Sequence, residues 1–419
     1  MKVHIHGAGQ EVGRSCIEIT WHDRRILLDC GIKINPEQNE YPTPVDNPEE
    51  IDAVFLSHAH LDHTGALPLL FHEGLNCPIF CTQVTQELSN LMLKDSWKID
   101  RIENRQKLYS KQCIRDVLKK MQFNQKGFYK GIEFKLIPSG HIPGSVSIFL
   151  KYKNETLLYT GDINGTTTRL LQKNRILPHA DVLITEATYG NRQHPERRTV
   201  EKKFTGIIQD TLQRGGSPLI GVFAIARSQE IILLLNEIRP KCPIYLDGMS
   251  KATTKIFLRH LHDLKNEELR KAVRRIDMVT NWERRKKITK QQGIFIATSG
   301  MLDGGPILGY LKDLGQQIEN SLILTGYQAD GTNGRMLLEH GYIMMDNKPF
   351  DITCPVHHLD FSAHADEMSL HEYIKKVEPT VVIAQHGEAG SAKSVAAYAR
   401  SKGMQAHAPK TGEQIEVKL

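Results

Sequence analysis

The stretch LSHAHLDHTG at residues 56–65 puts His58, His60, Asp62 and His63 within six consecutive positions. Imidazole and carboxylate without thiolate suit zinc or a similar divalent ion in an open, catalytic site. In an extended turn, residues two apart point the same way, so His58 and His60 can chelate one ion while Asp62 and His63 reach a neighbouring one. Two ions need more donors, and matching residues recur downstream. IPSGHIPGS offers His141, LLYTGDIN offers Asp162 and VVIAQHGE offers His386. Each follows an apolar, strand-like run and sits beside a glycine. A single histidine in such a place is an ordinary structural residue; the set together points to a metal centre, because the carboxyl ends of strands open onto the crevices where α/β proteins bind ligands. Asp29 in LLDCG sits the same way and reads as the carboxylate that orients a ligand imidazole through its second N–H.

The elements that must position these groups are legible from periodicity. Over the first 190 or so residues, KVHIHGAG, SCIEITW, RRILLDCG, DAVFLSHAH, FKLIPSGH, SVSIFLKY, TLLYTGD and DVLITEATYG read as strands. TGALPLLFHEG and TQELSNLMLKDSWKIDRIENRQKLY read as helices. From about residue 191 the pattern becomes helix, strand, helix, strand, as expected of a doubly wound parallel sheet. Two of its strands, GIFIATSGMLDGGP and NSLILTGYQADGTNGR, end in Gly-rich turns. The last 55 or so residues return to short strands and one helix.

Composition narrows the function classes. With 40% hydrophobic and 24% charged residues, the 419-residue chain is that of a globular protein with a sizeable core. No apolar run reaches the roughly 18–20 residues of a membrane span, so no membrane partner is expected. The N-terminus lacks the pattern of a secretory signal. Seven scattered cysteines argue against a disulfide framework and for a reducing, cytoplasmic setting. Cys77 and Cys81 in CPIFC have no second pair to complete a zinc knuckle, which leaves packing as their role. The net charge of +6 is concentrated in residues 265–290, which hold ten Lys or Arg against four Asp or Glu. That run is either a solvated helix face or a surface that meets phosphates.

At this level of detail the chain resembles a known group. SHAHLDH, SGH, TGD and QHG match the metallo-β-lactamase superfamily pattern, and TEATYG, FSAHAD and IAQHGE resemble the three motifs of its β-CASP branch of nucleic-acid-processing nucleases. ATSGMLDGGP and GYQADGTNGR are also typical of that branch. The resemblance spans essentially the whole chain. It is closest in kind to the cleavage and polyadenylation specificity factor nucleases and their short, tail-less prokaryotic relatives.

The resemblance implies an α/β fold: a metallo-β-lactamase αββα sandwich (residues 1–190 and 364–419) with an inserted β-CASP domain (residues 191–363) built on a parallel sheet, and metals in the cleft between them. It implies two Zn2+ per chain, with His58, His60 and His141 on one, Asp62, His63 and His386 on the other, and Asp162 bridging. His364 would be the general acid and Glu186 its hydrogen-bonded partner, with Asp62, His364 and Glu186 the residues on which catalysis turns. The expected reaction is hydrolysis of single-stranded RNA by a hydroxide shared between the metals, leaving 5′-phosphate and 3′-hydroxyl ends. Endonucleolytic and 5′-exonucleolytic action are both compatible with it, as are a homodimer or membership of an RNA-processing complex. Arg227, Ser228 and Ser299, at strand ends of the insert, are expected to contact phosphate. The alternative is a DNA nuclease of the Artemis-like branch, where valine usually replaces the histidine corresponding to His386. A small-molecule metallo-hydrolase would not need the insert.

Overall fold

The structure is a computed structural model that describes residues 1–35, 38–174 and 176–419. It divides into two compact units: residues 1–167, 173–193 and 363–419 form the first, and residues 168–172 and 194–362 form the second.

The first unit is built on two seven-stranded sheets. One runs, in spatial order, Gln414–Glu416, Lys2–Gly7, Cys16–Trp21, Arg24–Leu28, Ala53–Phe55, Ile79–Phe80 and Met121–Gln122. The other runs Gln405–His407, Val381–Gln385, Val182–Glu186, Glu155–Tyr159, Val146–Tyr152, Ile132–Pro138 and Lys126–Tyr129. Alternation along each strand decides which face it buries. Ile26, Leu28, Ala53 and Phe55 pack with Phe134, Ile148, Leu157, Ile184 and Ile383 into a core shared by both sheets. Their neighbours Leu27, Val54 and Leu56 point outward, onto the helices that carry Leu67, Leu70, Leu93 and Ile114. Leu158, Leu183 and Val382 likewise face Leu370, Ile374 and Val395 on the helices Glu367–Val377 and Ala389–Ser401. The layers are therefore helix, sheet, sheet, helix.

Strand direction sets where the site forms. Arg24–Leu28 and Ala53–Phe55 pair in parallel, and so do Glu155–Tyr159, Val182–Glu186 and Val381–Gln385. Their carboxyl ends consequently open on one side of each sheet, and Asp29, Asp162 and His386 directly follow that end or lie within three residues of it.

The second unit holds a six-stranded sheet with parallel pairing throughout, in the order Ile276–Met278, Ile244–Asp247, Ile294–Ala297, Pro218–Gly221, Ser321–Leu324, Val356–His358. Its central strands are buried on both faces and read as continuous apolar runs. The helices Arg197–Gln213, Arg227–Ile238, Ser250–Arg259 and Pro306–Leu314 follow or precede them, as the strand–helix alternation demands.

Two local expectations differ. The run TQELSNLMLKDSWKIDRIENRQKLY is helical only as far as Ile102, in the helix Gln83–Ile102, and a separate helix, Lys111–Lys120, follows beyond it. The basic run 265–290 is not a single helix face: it divides into helix Glu268–Val273, strand Ile276–Met278 and helix Trp282–Ile288. Cys77 and Cys81 are buried, and burial pushes the Cys77 thiol up to about 12, which opposes a thiolate ligand. Among the described residues no helix is long and apolar enough to cross a membrane.

Candidate metal centre

His58 and His60 lie beyond the strand Ala53–Phe55. His60, extended at φ −61° and ψ 148°, caps the short helix Leu61–Thr64 that carries Asp62 and His63. The helix is held from beneath: the Ser15 amide donates to the Asp62 carbonyl at 2.7 Å and the Cys30 amide to the His63 carbonyl at 2.7 Å. Gly31 permits this approach, since a Cβ there would sit 1.8 Å from the Asp62 carbonyl oxygen. Gly161, at φ +53°, is required beside Asp162 for the same reason: its Cβ would fall 2.6 Å from Cβ of Ser57.

The side chains converge on Asp162, which is 2% exposed. Its Oδ2 lies 3.4 Å from His58 Nε2 and 3.5 Å from His141 Nε2. Its Oδ1 lies 3.4 Å from His63 Nε2 and 3.5 Å from His386 Nδ1. His60 Nδ1 sits 3.1 Å from His58 Nε2 and 3.2 Å from His141 Nε2. Asp62 Oδ2 lies 3.4 Å from His386 Nε2. The structure thus brings together all seven residues read from the sequence as ligands.

Outer hydrogen bonds assign the tautomers of three of these imidazoles. His63 Nδ1 donates to Asp29 Oδ2 at 2.7 Å. His141 Nδ1 donates to the Ala363 carbonyl at 2.9 Å. The Ser57 hydroxyl donates to Asp29 Oδ2 at 2.6 Å, so it accepts at 3.0 Å from His58 Nδ1. In its neutral form each of these rings therefore turns an unprotonated Nε2 inward. Burial, followed by the neighbouring imidazoles, holds His58 and His141 well below the usual histidine range.

This donor set fits a divalent metal. His63 Nε2, Asp162 Oδ1 and His386 Nε2, all buried, have no hydrogen-bond partner among the described residues. Burial works against charge on His63, yet Asp162, Asp29 and Asp62 outweigh it and raise His63 to about 10. The pocket favours a positive charge that its imidazoles can supply only by giving up ligand lone pairs. Bound cations would satisfy the same field and leave those lone pairs in use.

Beside this cluster stands a second pair. His364 Nδ1 lies 3.0 Å from Glu186 Oε2, and His364 Nε2 lies 3.9 Å from Asp162 Oδ2. Glu186 is fully buried and accepts the Ile163 amide at 2.7 Å. Burial disfavours charge on His364, but Glu186 and Asp162 more than offset it and raise the ring to about 9. Its side chain keeps 22% exposure, so it can be reached from solvent.

Family models match three parts of the chain: a metallo-beta-lactamase superfamily domain at residues 18–188, a Beta-Casp domain at 228–337 and a Zn-dependent metallo-hydrolase RNA specificity domain at 350–409. The chain is 43% identical to "Probable RNase MJ4" of Methanocaldococcus jannaschii over 100% of both proteins. The chain belongs to the β-CASP ribonuclease branch of the metallo-β-lactamase superfamily.

A further relative is "RNase aCSPSF2" of Saccharolobus solfataricus, 33% identical over 99% of this chain and 85% of that protein. A crystal structure of a protein of unknown function from Enterococcus faecalis V583 shares the fold, with a TM-score of 0.62 and 14% identity over 99% of each chain. As a member of a metal-dependent hydrolase superfamily, the chain has a metal-binding site.

Several supporting residues of this β-CASP protein carry no sequence signal of their own. Ser57 and Tyr159 both donate to Asp29 Oδ2, at 2.6 and 2.7 Å. Thr188 Oγ1 lies 3.4 Å from His364 Nδ1 and donates to the His386 carbonyl at 3.2 Å. All three stand inside stretches named above, Ser57 in SHAHLDH, Tyr159 in LLYTGDIN and Thr188 in TEATYG, but nothing in those stretches marks their bonds to Asp29, His364 or His386.

One expectation in the second unit is corrected. Ser228 is 0% exposed and its hydroxyl donates to the Ala224 carbonyl at 2.9 Å, so it faces the interior and not a phosphate. Ser299 is half-buried; its amide donates to the Gly304 carbonyl and its own carbonyl accepts the Leu302 amide. Arg227 starts the helix Arg227–Ile238 and is half-buried.

Proposed function

We propose that this protein is a zinc-dependent ribonuclease that hydrolyses phosphodiester bonds of single-stranded RNA, leaving 5′-phosphate and 3′-hydroxyl ends. The observation that carries the proposal is the approach of the His364–Glu186 pair to within 3.9 Å of Asp162, the carboxylate on which the other ligands converge. In this reading His58, His60 and His141 hold one zinc, Asp62, His63 and His386 the other, and Asp162 is shared. When bound, two such ions supply water acidified toward neutrality and offset charge at phosphorus.

The chain's own residues do the rest. Asp29, Ser57 and the Ala363 carbonyl hold the imidazoles in their ligand tautomers, so no ring turns when substrate arrives. Water gives up a proton to solvent and forms the new bond to phosphorus as the bond to the 3′-oxygen breaks. The departing oxygen takes a proton from His364, and Glu186 steadies the imidazolium before transfer. The ribose 2′-hydroxyl is not the nucleophile, which is why the 3′ product ends in a free hydroxyl. Both "Probable RNase MJ4" and "RNase aCSPSF2" are named as ribonucleases, which supports RNA over DNA as the substrate.

The test is cleavage of 5′-labelled and 3′-labelled single-stranded RNA by the wild type, Asp62→Ala and His364→Ala, with a DNA strand of the same sequence alongside. Expected are fragments carrying 3′-hydroxyl termini, loss of activity in both variants and on chelation, and no comparable cutting of DNA. Internal fragments indicate endonucleolytic action; mononucleotides from the 5′ end indicate exonucleolytic action. Full activity in Asp62→Ala, or cyclic phosphate ends, would overturn the reading.

A further inference from the structure

The chain has three tryptophans, and they live in different surroundings. Trp21 is 0% exposed and Trp97 is half-buried, whereas Trp282 is 57% exposed. An indole left in water forgoes one of the largest apolar burials a side chain can make, so its place needs a reason. Trp282 opens the helix Trp282–Ile288, whose start is fixed by the Asn281 side chain accepting from the Arg284 amide. Only Ile288 of that helix is buried, and the rest of it faces water or is half-exposed.

The charges around the indole fall into two groups. Arg284 pairs with Asp277 and Arg285 with Asp247, so both guanidinium groups are engaged within the second unit. Lys286, Lys287 and Lys290 are exposed and form no ion pair among the described residues. Lys286 stands one helical turn beyond Trp282, with its ammonium 3.9 Å from the ring centroid. An exposed aromatic ring flanked by cations free of carboxylate partners is the pairing that non-specific single-strand binders use. The ring stacks on a base, and the cations meet the phosphates.

We propose that Trp282 is a base-stacking platform for single-stranded RNA on the second unit, with Lys286, Lys287 and Lys290 contacting its backbone. The proposal rests on RNA being the substrate, as argued above. It divides the basic run 265–290 by role, since these lysines hold phosphate while Arg284 and Arg285 hold the fold. Stacking accepts any base, so this platform strengthens binding without reading sequence. A duplex, whose bases are already stacked, has no ring to offer it.

The test uses the full-length, zinc-loaded His364→Ala chain, so that cleavage does not consume the ligand, and a labelled RNA of about 12 nucleotides, within the usual single-strand site size. Label anisotropy reports binding and tryptophan emission reports stacking. Expected is saturable quenching by the single strand and little by a duplex of equal length. Adding Trp282→Ala should weaken binding roughly 5- to 100-fold and abolish most of the quenching. Trp282→Phe should keep most of the affinity. Changing Lys286, Lys287 and Lys290 together to alanine should weaken binding and flatten its salt dependence, while residual complexes still quench. Unchanged RNA affinity in Trp282→Ala, or equal quenching by duplex and single strand, overturns the platform and leaves the ribonuclease reading standing. Absence of RNA binding by anisotropy in every variant overturns both.

Discussion

Asp29 and His63 meet at 2.7 Å, carboxylate to Nδ1, and this contact determines which nitrogen of His63 faces the metal cluster. Asp29 also accepts from Ser57 at 2.6 Å and from Tyr159 at 2.7 Å, and its backbone sits at φ +59°, a region uncommon for a residue with a side chain. Such a conformation persists only where the surroundings determine it. Asp29→Asn should therefore leave the fold intact but lower zinc affinity about 10- to 100-fold, the usual effect of losing a ligand's outer partner. Competition with a chromophoric chelator measures this.

Asp162 touches both halves of the cluster, so its removal should cost more metal than removal of any single histidine. Asp162→Ala is expected to purify with little zinc by elemental analysis. The wild type should show a rise in melting temperature on adding zinc, because a ligand bound only by the native state stabilises it. The variant should show little or none.

His364 and Glu186 lie apart from the ligand set proposed here, so their substitution separates chemistry from metal binding. His364→Ala should keep its zinc and lose about 10²- to 10⁴-fold in kcat, the range for a general acid. Glu186→Gln should lose less, with kcat affected before KM. Zinc loss in either variant, measured on the same preparation used for kinetics, would place these residues among the ligands.

Gly31→Ala tests the backbone beneath the centre. The added methyl must displace the Asp62 carbonyl, 1.8 Å from where it would lie, and with it the helix carrying Asp62 and His63. Metal content and activity should fall together, at a melting temperature several degrees below that of the wild type. Gly206→Ala, inside a helix with open space around the new methyl, should leave metal content and activity unchanged and raise the melting temperature slightly.

Acid sensitivity should trace in part to Glu18. Burial disfavours its charged form, but His6 and Arg25 outweigh that and hold its carboxyl down at about 2. A carboxyl depressed in the folded state stabilises above its unfolded value of about 4.3, and that contribution is lost as pH falls toward 2. The melting-temperature advantage of the wild type over Glu18→Gln should accordingly be full at pH 6 and shrink steadily below about pH 4.5.

How far the sequence could be read follows from how each feature is encoded. The candidate ligands were legible in two ways: His141, Asp162 and His386 each break an apolar strand pattern near its carboxyl end, and His58, His60, Asp62 and His63 crowd into six positions after one such strand. That signal is local, and parallel strands bring such ends to one side of a sheet. The αββα layering came from the family resemblance; the strand patterns alone reached only a layered α/β architecture, and the opposite facing of Leu27 and Leu28 shows how one alternating strand serves two layers. The helix read through to Tyr109 ends instead at Ile102, where the Glu103 amide closes the last turn on the Ile99 carbonyl, a stop that no glycine or proline marks in the sequence.

The amino-acid sequence by itself determined the donor set, the strands that deliver it and the family, all of which rest on residue type and short spacing. Tertiary structure alone decided which partner each donor has. The Ala363 carbonyl sets the tautomer of His141 across 222 residues, Tyr159 bonds Asp29 across 130, and Ser228, plausible in sequence as a phosphate contact, turns inward to bond the carbonyl of Ala224. Hydrogen bonds are directional and short-ranged, so their partners are chosen only when the chain has brought the groups within about 3 Å of one another.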